Sequence, residues 1–251
     1  MTRRPYDHYP TGGGEVDLRL GRYQEALAGE QFDAVICDPP YGARTHAGGR
    51  EPETLRDPGK APREIEYHPW DAGSISEFVD AMTGACRGWV VPLTSHDLVC
   101  EYQAAFERAG WYAFAPVPCV ITGMSIRLAG DGPSSWAVYA VPARPRNREM
   151  QRWGTLPGAY VGTAQPGAGG GRGKPQWLMR SLVRDYSRPG DLVCDPVAGW
   201  GATAMAAVAE GRKFVGAEMD PAAHEEAIRR CALGAAYGRH AEEQLDMWGQ
   251  R

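Results

Sequence analysis

The chain reads as an α/β protein built around a mostly parallel sheet, and three stretches predict it. Asp33-Ala34-Val35-Ile36-Cys37 is a short apolar run of the kind found in strands buried on both faces. Leu192-Val193-Cys194-Asp195-Pro196-Val197-Ala198-Gly199-Trp200-Gly201-Ala202-Thr203 reads as strand, glycine turn and helix. Phe214-Val215-Gly216-Ala217-Glu218 reads as a further strand ending in an acid. With 251 residues the chain is long enough for one such domain with a sizeable core and a small appendage.

The elements follow in order. Residues 1–14 are polar, end in three glycines and read as a flexible tail. The strand at 33–37 leads into Asp38-Pro39-Pro40-Tyr41, and residues 42–73 then read as a long mobile loop. Ile75 to Cys86 is a helix with Phe78, Val79 and Met82 on one face. Trp89 to Leu93 is a strand, and Leu98 to Ala109 a helix stopped by Gly110. Trp111 to Gly123 and Ser135 to Val141 form an antiparallel pair. Residues 142–173 change character: Arg144, Arg146, Arg148 and Arg152 cluster near Trp153 and Tyr160, followed by a glycine run. Residues 174–251 hold the second strand–turn–helix, whose helix runs from Ala202 to Glu210 and stops at Gly211.

Composition narrows the function. A net charge of −4 argues against a strongly basic coat for nucleic acid but leaves room for a local basic face. No run approaches the length of a membrane span, and the N-terminus lacks a signal peptide's apolar core. The six cysteines show no C-x-x-C pairing and read as reduced core residues, so a cytoplasmic location is expected. The six histidines show no ligand spacing, and no metal site is expected.

The chemistry concentrates at two strand ends, where open α/β sheets bind ligands. Pro39 and Pro40 fix φ and remove two backbone donors, so the loop that carries Asp38 and Tyr41 is stiff. A ring that stacks and a carboxylate that accepts N–H groups suit a planar ligand with an amine. Gly199 and Gly201 allow a sharp turn after Asp195. Glu218, about 20 residues further on, is spaced to grip a ribose diol. The turn is not G-x-G-x-x-G, so a nicotinamide cofactor is disfavoured.

These motifs resemble those of the S-adenosylmethionine-dependent amino-methyltransferases of DNA. Asp38-Pro39-Pro40-Tyr41 looks like the family's catalytic motif, and Asp195 to Thr203 like its cofactor loop. Gly173-Lys174-Pro175 looks like the segment that precedes the cofactor strand. The catalytic motif comes first here, an order similar to the permuted β group of N6-adenine and N4-cytosine enzymes. Where the family often has Gly-Asp, this chain has Gly21-Arg22.

The resemblance implies a Rossmann-like methyltransferase fold with a seven-stranded mixed sheet. Residues 15–141 would form its catalytic half, 142–173 a short inserted DNA-recognition segment, and 174–251 the cofactor half. It implies Asp38, Pro39, Pro40 and Tyr41 as catalytic residues. Lys174, Asp195, Pro196, Gly199, Gly201, Thr203 and Glu218 would bind S-adenosyl-L-methionine. Arg44, Arg144, Arg146, Arg148 and Arg152 would contact double-stranded DNA. The implied activity is adenine-N6 methylation of DNA by base flipping and direct transfer, as in restriction-modification, with a homodimer as one assembly.

Alternatives stay open at this point: an N4-cytosine enzyme, or a catalytically weak DNA-binding relative. The leading Asp38 leans towards adenine, since the cytosine group often has Ser there. Pro118-Cys119 invites a cytosine-C5 reading, but Cys119 sits in an apolar strand and no Glu-Asn-Val follows. Gly169 to Lys174 is similar to a phosphate loop, yet no strand precedes it and Pro175 stands where Ser or Thr is needed.

Overall fold

The computed structural model describes residues 9–11, 14–43, 68–123, 136–147, 149–150, 153–164 and 173–232. In chain order its strands are β1 (Tyr9–Thr11), β2 (Gly14–Leu20), β3 (Phe32–Cys37), β4 (Cys86–Thr94), β5 (Tyr112–Ala113), β6 (Val117–Thr122), β7 (Ala137–Ala140), β8 (Ala143–Arg144), β9 (Tyr160–Thr163), β10 (Leu192–Asp195) and β11 (Lys213–Glu218). Its helices are α1 (Tyr23–Ala26), α2 (Ala72–Ala85), α3 (Val99–Arg108), α4 (Gln176–Tyr186) and α5 (Ala202–Ala209), and residues 221–232 are also helical. The described residues fall into two compact units. One holds those up to Asp38, Ala85–Val91 and those from Gln165 on; the second holds those of Pro39–Gly84 and Pro92–Ala164.

In the first unit the strand order is β1-β2-β11-β10-β3-β4. β2, β11, β10 and β3 pair parallel, which requires the helical crossovers the sequence predicts. β3 is buried at every position but Asp33, whose carboxylate accepts the Leu192 N–H at 2.9 Å and so helps set where β10 begins. A Cβ on Gly88 would lie 2.2 Å from the Asp33 carbonyl oxygen, so no other residue fits there without moving the strand. α4 buries Leu178, Met179, Leu182, Val183 and Tyr186, a helical stripe whose Tyr186 packs edge-on against Trp89 at 5.2 Å. The buried Arg212 guanidinium donates to Ser187 Oγ and Ser187 O, both at 2.9 Å, and to the Arg184 and Glu210 carbonyls. It thereby satisfies carbonyls at the end of α4 that a helix leaves open.

In the second unit the last residues of β4 pair antiparallel with β7 (Leu93 opposite Ala140), and β7 pairs antiparallel with β6 (Cys119 opposite Val138). Asp71 caps α2 by accepting the Ser74 N–H at 2.8 Å. α2 buries Ile75, Phe78, Val79 and Met82, and Phe78 meets Trp70 and Tyr102 at 5.3 and 6.2 Å. α3 ends where Gly110 turns to φ +76°.

The expected pair β6/β7 is present, but β6 is not an edge: β9 adds to it in parallel. Setting aside β1, β5, β8 and β9 leaves seven strands, the expected number; the four short additions bring the described total to eleven. Strands of two to four residues are too short for alternation to show, which is why the sequence count is lower. β1 pairs antiparallel with β2 within the stretch expected to be a tail, and β9 lies within 142–173. Of the loop expected at 42–73, residues 44–67 lie outside the described residues.

Candidate active site

Parallel pairing brings the carboxyl ends of β3, β10 and β11 side by side in the first unit, and each ends at or just before an acid: Asp38, Asp195 and Glu218. Each acid is held differently. Asp38 Oδ2 receives the Lys174 ammonium at 2.6 Å. Lys174 reaches it from the segment before α4, where Gly173 takes φ +97°. Both side chains are mostly shielded from water, 15% exposed for Lys174 and 31% for Asp38.

Asp195 is turned inward and is 2% exposed. Its Oδ2 accepts the Thr203 hydroxyl at 2.5 Å, and its Oδ1 accepts the Val197 N–H at 3.1 Å. It braces the turn from inside. Burial pushes its carboxyl up to about 7; the bonds from Thr203 and Val197 oppose this, and the charges of Asp38 and Glu218 add to it. Burial likewise pushes the Cys37 and Cys194 thiols up, which suits core residues rather than nucleophiles.

Glu218 is 8% exposed and holds the other side of the turn. Its two oxygens accept the N–H groups of Gly199 and Asp220, each at 2.8 Å. A carboxylate offers about four acceptor positions, so capacity remains for hydroxyl donors. Gly199 and Gly201 have φ of +52° and +76°, the left-handed region that favours glycine. At Gly201 the second constraint is packing: a Cβ there would lie 3.0 Å from the Ala227 Cβ. The close approach at Gly201 is to the helix over 221–232. Leu20 and Met219, apolar and half or more exposed, flank this edge, with Leu20 opposite Glu218 in the β2–β11 register. Neither was singled out from sequence, since a lone exposed apolar residue carries no pattern. Gly21, after β2, donates its N–H to the Glu218 carbonyl at 2.8 Å, and Arg22 points to solvent.

The first unit therefore brings together Asp38, Lys174, Asp195, Pro196, Gly199, Gly201, Thr203 and Glu218. Pro39, Pro40 and Tyr41 belong to the second unit, where the Tyr41 carbonyl accepts the Trp70 N–H at 3.2 Å. There Arg144 lies over the Tyr112 and Phe114 rings, 5.7 and 5.4 Å from their centroids, and Arg146 over Tyr112 at 5.1 Å. Arg44, Arg148 and Arg152 lie outside the described residues. No cluster of metal-ligating side chains occurs among the described residues. No described helix is long and apolar enough to cross a membrane.

This geometry can be set beside known proteins. The model of a DNA methylase family whose name covers N6 and N4 amines matches residues 167–229, the stretch from before Lys174 through Glu218. A protein named "Putative methylase YubD" from Escherichia coli (strain K12) is 34% identical over 218 residues, covering 84% of this chain and 86% of that protein. The chain belongs to the N6/N4 DNA methylase family. S-adenosylmethionine is the cofactor of these methylases. DNA adenine methyltransferase YhdJ, also of E. coli K12, is 39% identical to this methylase over 70 residues, 28% of this chain and 23% of that protein. The crystal structure of the M1.HpyAVI-SAM complex shares the methylase fold, with a TM-score of 0.60 at 16% identity over 86% of this chain and 98% of that one.

Proposed function

We propose that this methylase transfers a methyl group to the N6 amine of adenine in double-stranded DNA, in the cytoplasm. The observation that carries this reading is the Lys174–Asp38 pair standing in the same unit as the braced glycine turn. One carboxylate is held for the amine, and a second site beside it is built for the cofactor.

The residues present fit that cofactor. Glu218 has acceptor capacity left for a ribose diol, and Leu20 and Met219 offer apolar surface for an adenine ring. Asp195 and Thr203 keep the turn in shape from behind. When bound, S-adenosylmethionine supplies an activated methyl, so the protein's task is alignment and electrostatics.

The amine of adenine is a poor nucleophile because its lone pair is delocalised into the ring. Asp38 and the Pro39 carbonyl accept its hydrogens and favour a nucleophilic geometry. Tyr41 stacks on the base once it is drawn out of the duplex. No covalent intermediate is needed. Asp38, in place of Ser, leans the reading towards adenine over cytosine.

The test is to digest DNA from cells expressing the protein and to identify modified nucleosides by mass spectrometry. N6-methyladenine is the expected product. N4-methylcytosine would move the target to the other amine of the family, and neither product would leave a DNA-binding relative without turnover.

A further inference from the structure

The glycine turn that Glu218 braces is also held by a residue the catalytic reading does not use. Arg230 Nη1 donates to the Trp200 carbonyl at 2.7 Å. Trp200 stands between Gly199 and Gly201, both at positive φ. Glycine has more backbone freedom to lose than any other residue, so a turn with two of them keeps one shape only under outside restraint. Two restraints are present. Glu218 accepts the Gly199 N–H at 2.8 Å, and Arg230 donates to the carbonyl one residue on.

Arg230 is aimed by its helix, which lies in the same unit as the turn. Ala223, Ala227 and Cys231 are buried along one face of the helix over 221–232. Arg230 stands beside them, one turn after the Ala227 that crowds Gly201. The helix is itself tied to the strands that carry the site. Glu218 accepts the Asp220 N–H, and Asp220 Oδ1 accepts the Ala222 and Ala223 N–H groups at 2.7 and 3.0 Å. His224 Nε2 donates to the Leu18 carbonyl at 3.0 Å. Burial pushes the Arg230 guanidinium below its ordinary value, which the charge of Glu226 opposes. Its neighbour Arg229 is exposed and bonds both oxygens of Glu226. The two adjacent arginines thus differ: one serves the surface, the other the turn.

We infer that Arg230 is a positioning residue for S-adenosylmethionine: it fixes the Trp200 peptide, so that the turn meets the cofactor already ordered. A charge-assisted bond to a carbonyl is stronger than a neutral one, and order established before binding lowers the cost of binding. Arg230 acts through the backbone of the turn and needs no contact of its own with the cofactor. Its loss therefore shows in cofactor binding and not in the chemical step. The inference rests on reading the turn as the seat of the cofactor, and it stands whichever amine is methylated.

The experiment uses the full chain. Arg230→Met keeps an apolar stem and removes the donors, and Arg230→Lys keeps the charge. Arg229→Gln is the surface control, and Glu218→Ala tests the seat of the cofactor itself. Each is compared with wild type in calorimetry with S-adenosylmethionine, in thermal melting with and without it, and in steady-state methylation of unmethylated plasmid DNA. Arg230→Met should weaken cofactor binding by about tenfold and raise KM for cofactor alike, while kcat at saturating cofactor stays within about threefold. Arg230→Lys should recover part of the affinity, and Arg229→Gln should bind within about twofold of wild type. The rise in melting temperature that cofactor gives the wild type should shrink in Arg230→Met. Unchanged affinity in Arg230→Met beside a weakened Glu218→Ala overturns the role of Arg230 alone. Unchanged affinity in both variants places the cofactor elsewhere and removes the underlying reading and the inference together. A lower melting temperature with the cofactor-induced rise intact makes Arg230 structural and overturns the inference. An equal loss of affinity in Arg229→Gln makes the effect one of general charge and overturns it as well.

Discussion

Lys174 Nζ lies 2.6 Å from Asp38 Oδ2, joining residues 136 positions apart in the chain. The family resemblance implied Lys174 as a cofactor ligand. Its bond to Asp38 gives it a second task, holding the carboxylate that is to meet the amine. The two tasks separate kinetically. Lys174→Gln should lower kcat by roughly 10–100-fold, about 1.4–2.8 kcal/mol of barrier, with a smaller rise in KM for S-adenosylmethionine. Lys174→Arg should recover part of the loss, since it keeps the charge. A change in KM alone would return Lys174 to cofactor binding only. Asp38→Ala should abolish transfer and leave cofactor affinity in place.

Glu218 accepts two backbone N–H groups and is the candidate grip for the ribose. Glu218→Ala should weaken cofactor binding by roughly 1–3 kcal/mol through lost charge-assisted bonds. Calorimetry reads this directly. Because Gly199 N–H loses its acceptor in the same variant, melting temperature should fall as well. Unchanged affinity would place the ribose elsewhere.

Asp195 makes a pH prediction. Its carboxyl is pushed up to about 7 from an ordinary 3.8, chiefly by burial. Between those values the folded chain holds a proton that the unfolded chain releases. Its contribution to stability is therefore fully present below the lower value and is lost as pH rises through about 7. Asp195→Asn keeps an acceptor for Val197 N–H and a partner for Thr203 without the charge. Melting temperature measured from pH 5 to 8 should fall less steeply in the variant than in wild type. Parallel curves would show that the charge on Asp195 is not what the fold opposes.

Much of this arrangement was legible in the sequence, because its signals are local. The apolar runs before Asp38 and Asp195, the acid ending β11 and the stop at Gly211 each follow from short-range rules, and each stands where expected. What was not legible depends on residues distant in sequence. The Lys174–Asp38 bond, the capping of α4 by Arg212 and the demand of Asp33 on Gly88 exist only once the strands are paired. The turning of Asp195 inward was hidden for a related reason. A carboxylate at a strand end faces a ligand or its own loop according to which N–H and O–H groups reach it first, and Thr203 and Val197 do.

Cys119 settles the rival nucleophile. It is fully buried in β6, with its thiol donating to the Val117 carbonyl at 3.6 Å. A nucleophile must reach its substrate, and this one faces the core. Cys119→Ser should retain methylation within about twofold, with at most a modest loss of stability from placing a hydroxyl in an apolar site. Loss of all activity with an intact melt would revive covalent chemistry.

Arg144 and Arg146 rest on aromatic faces beside β5 and β8, and Tyr112 among those rings is substantially exposed. Stacking holds a guanidinium in place, and Arg144 also donates to the Pro145 carbonyl at 3.3 Å. If both contact the DNA backbone, Arg144→Gln and Arg146→Gln should each lower the salt slope of binding by about one and weaken all sequences alike. If one reads a guanine edge, its loss should instead relax selection at one base pair by roughly 1–3 kcal/mol. Fluorescence anisotropy over a salt series, with duplexes of differing sequence, separates the two. Affinity and slope unchanged in both variants would move the DNA face away from this aromatic ledge.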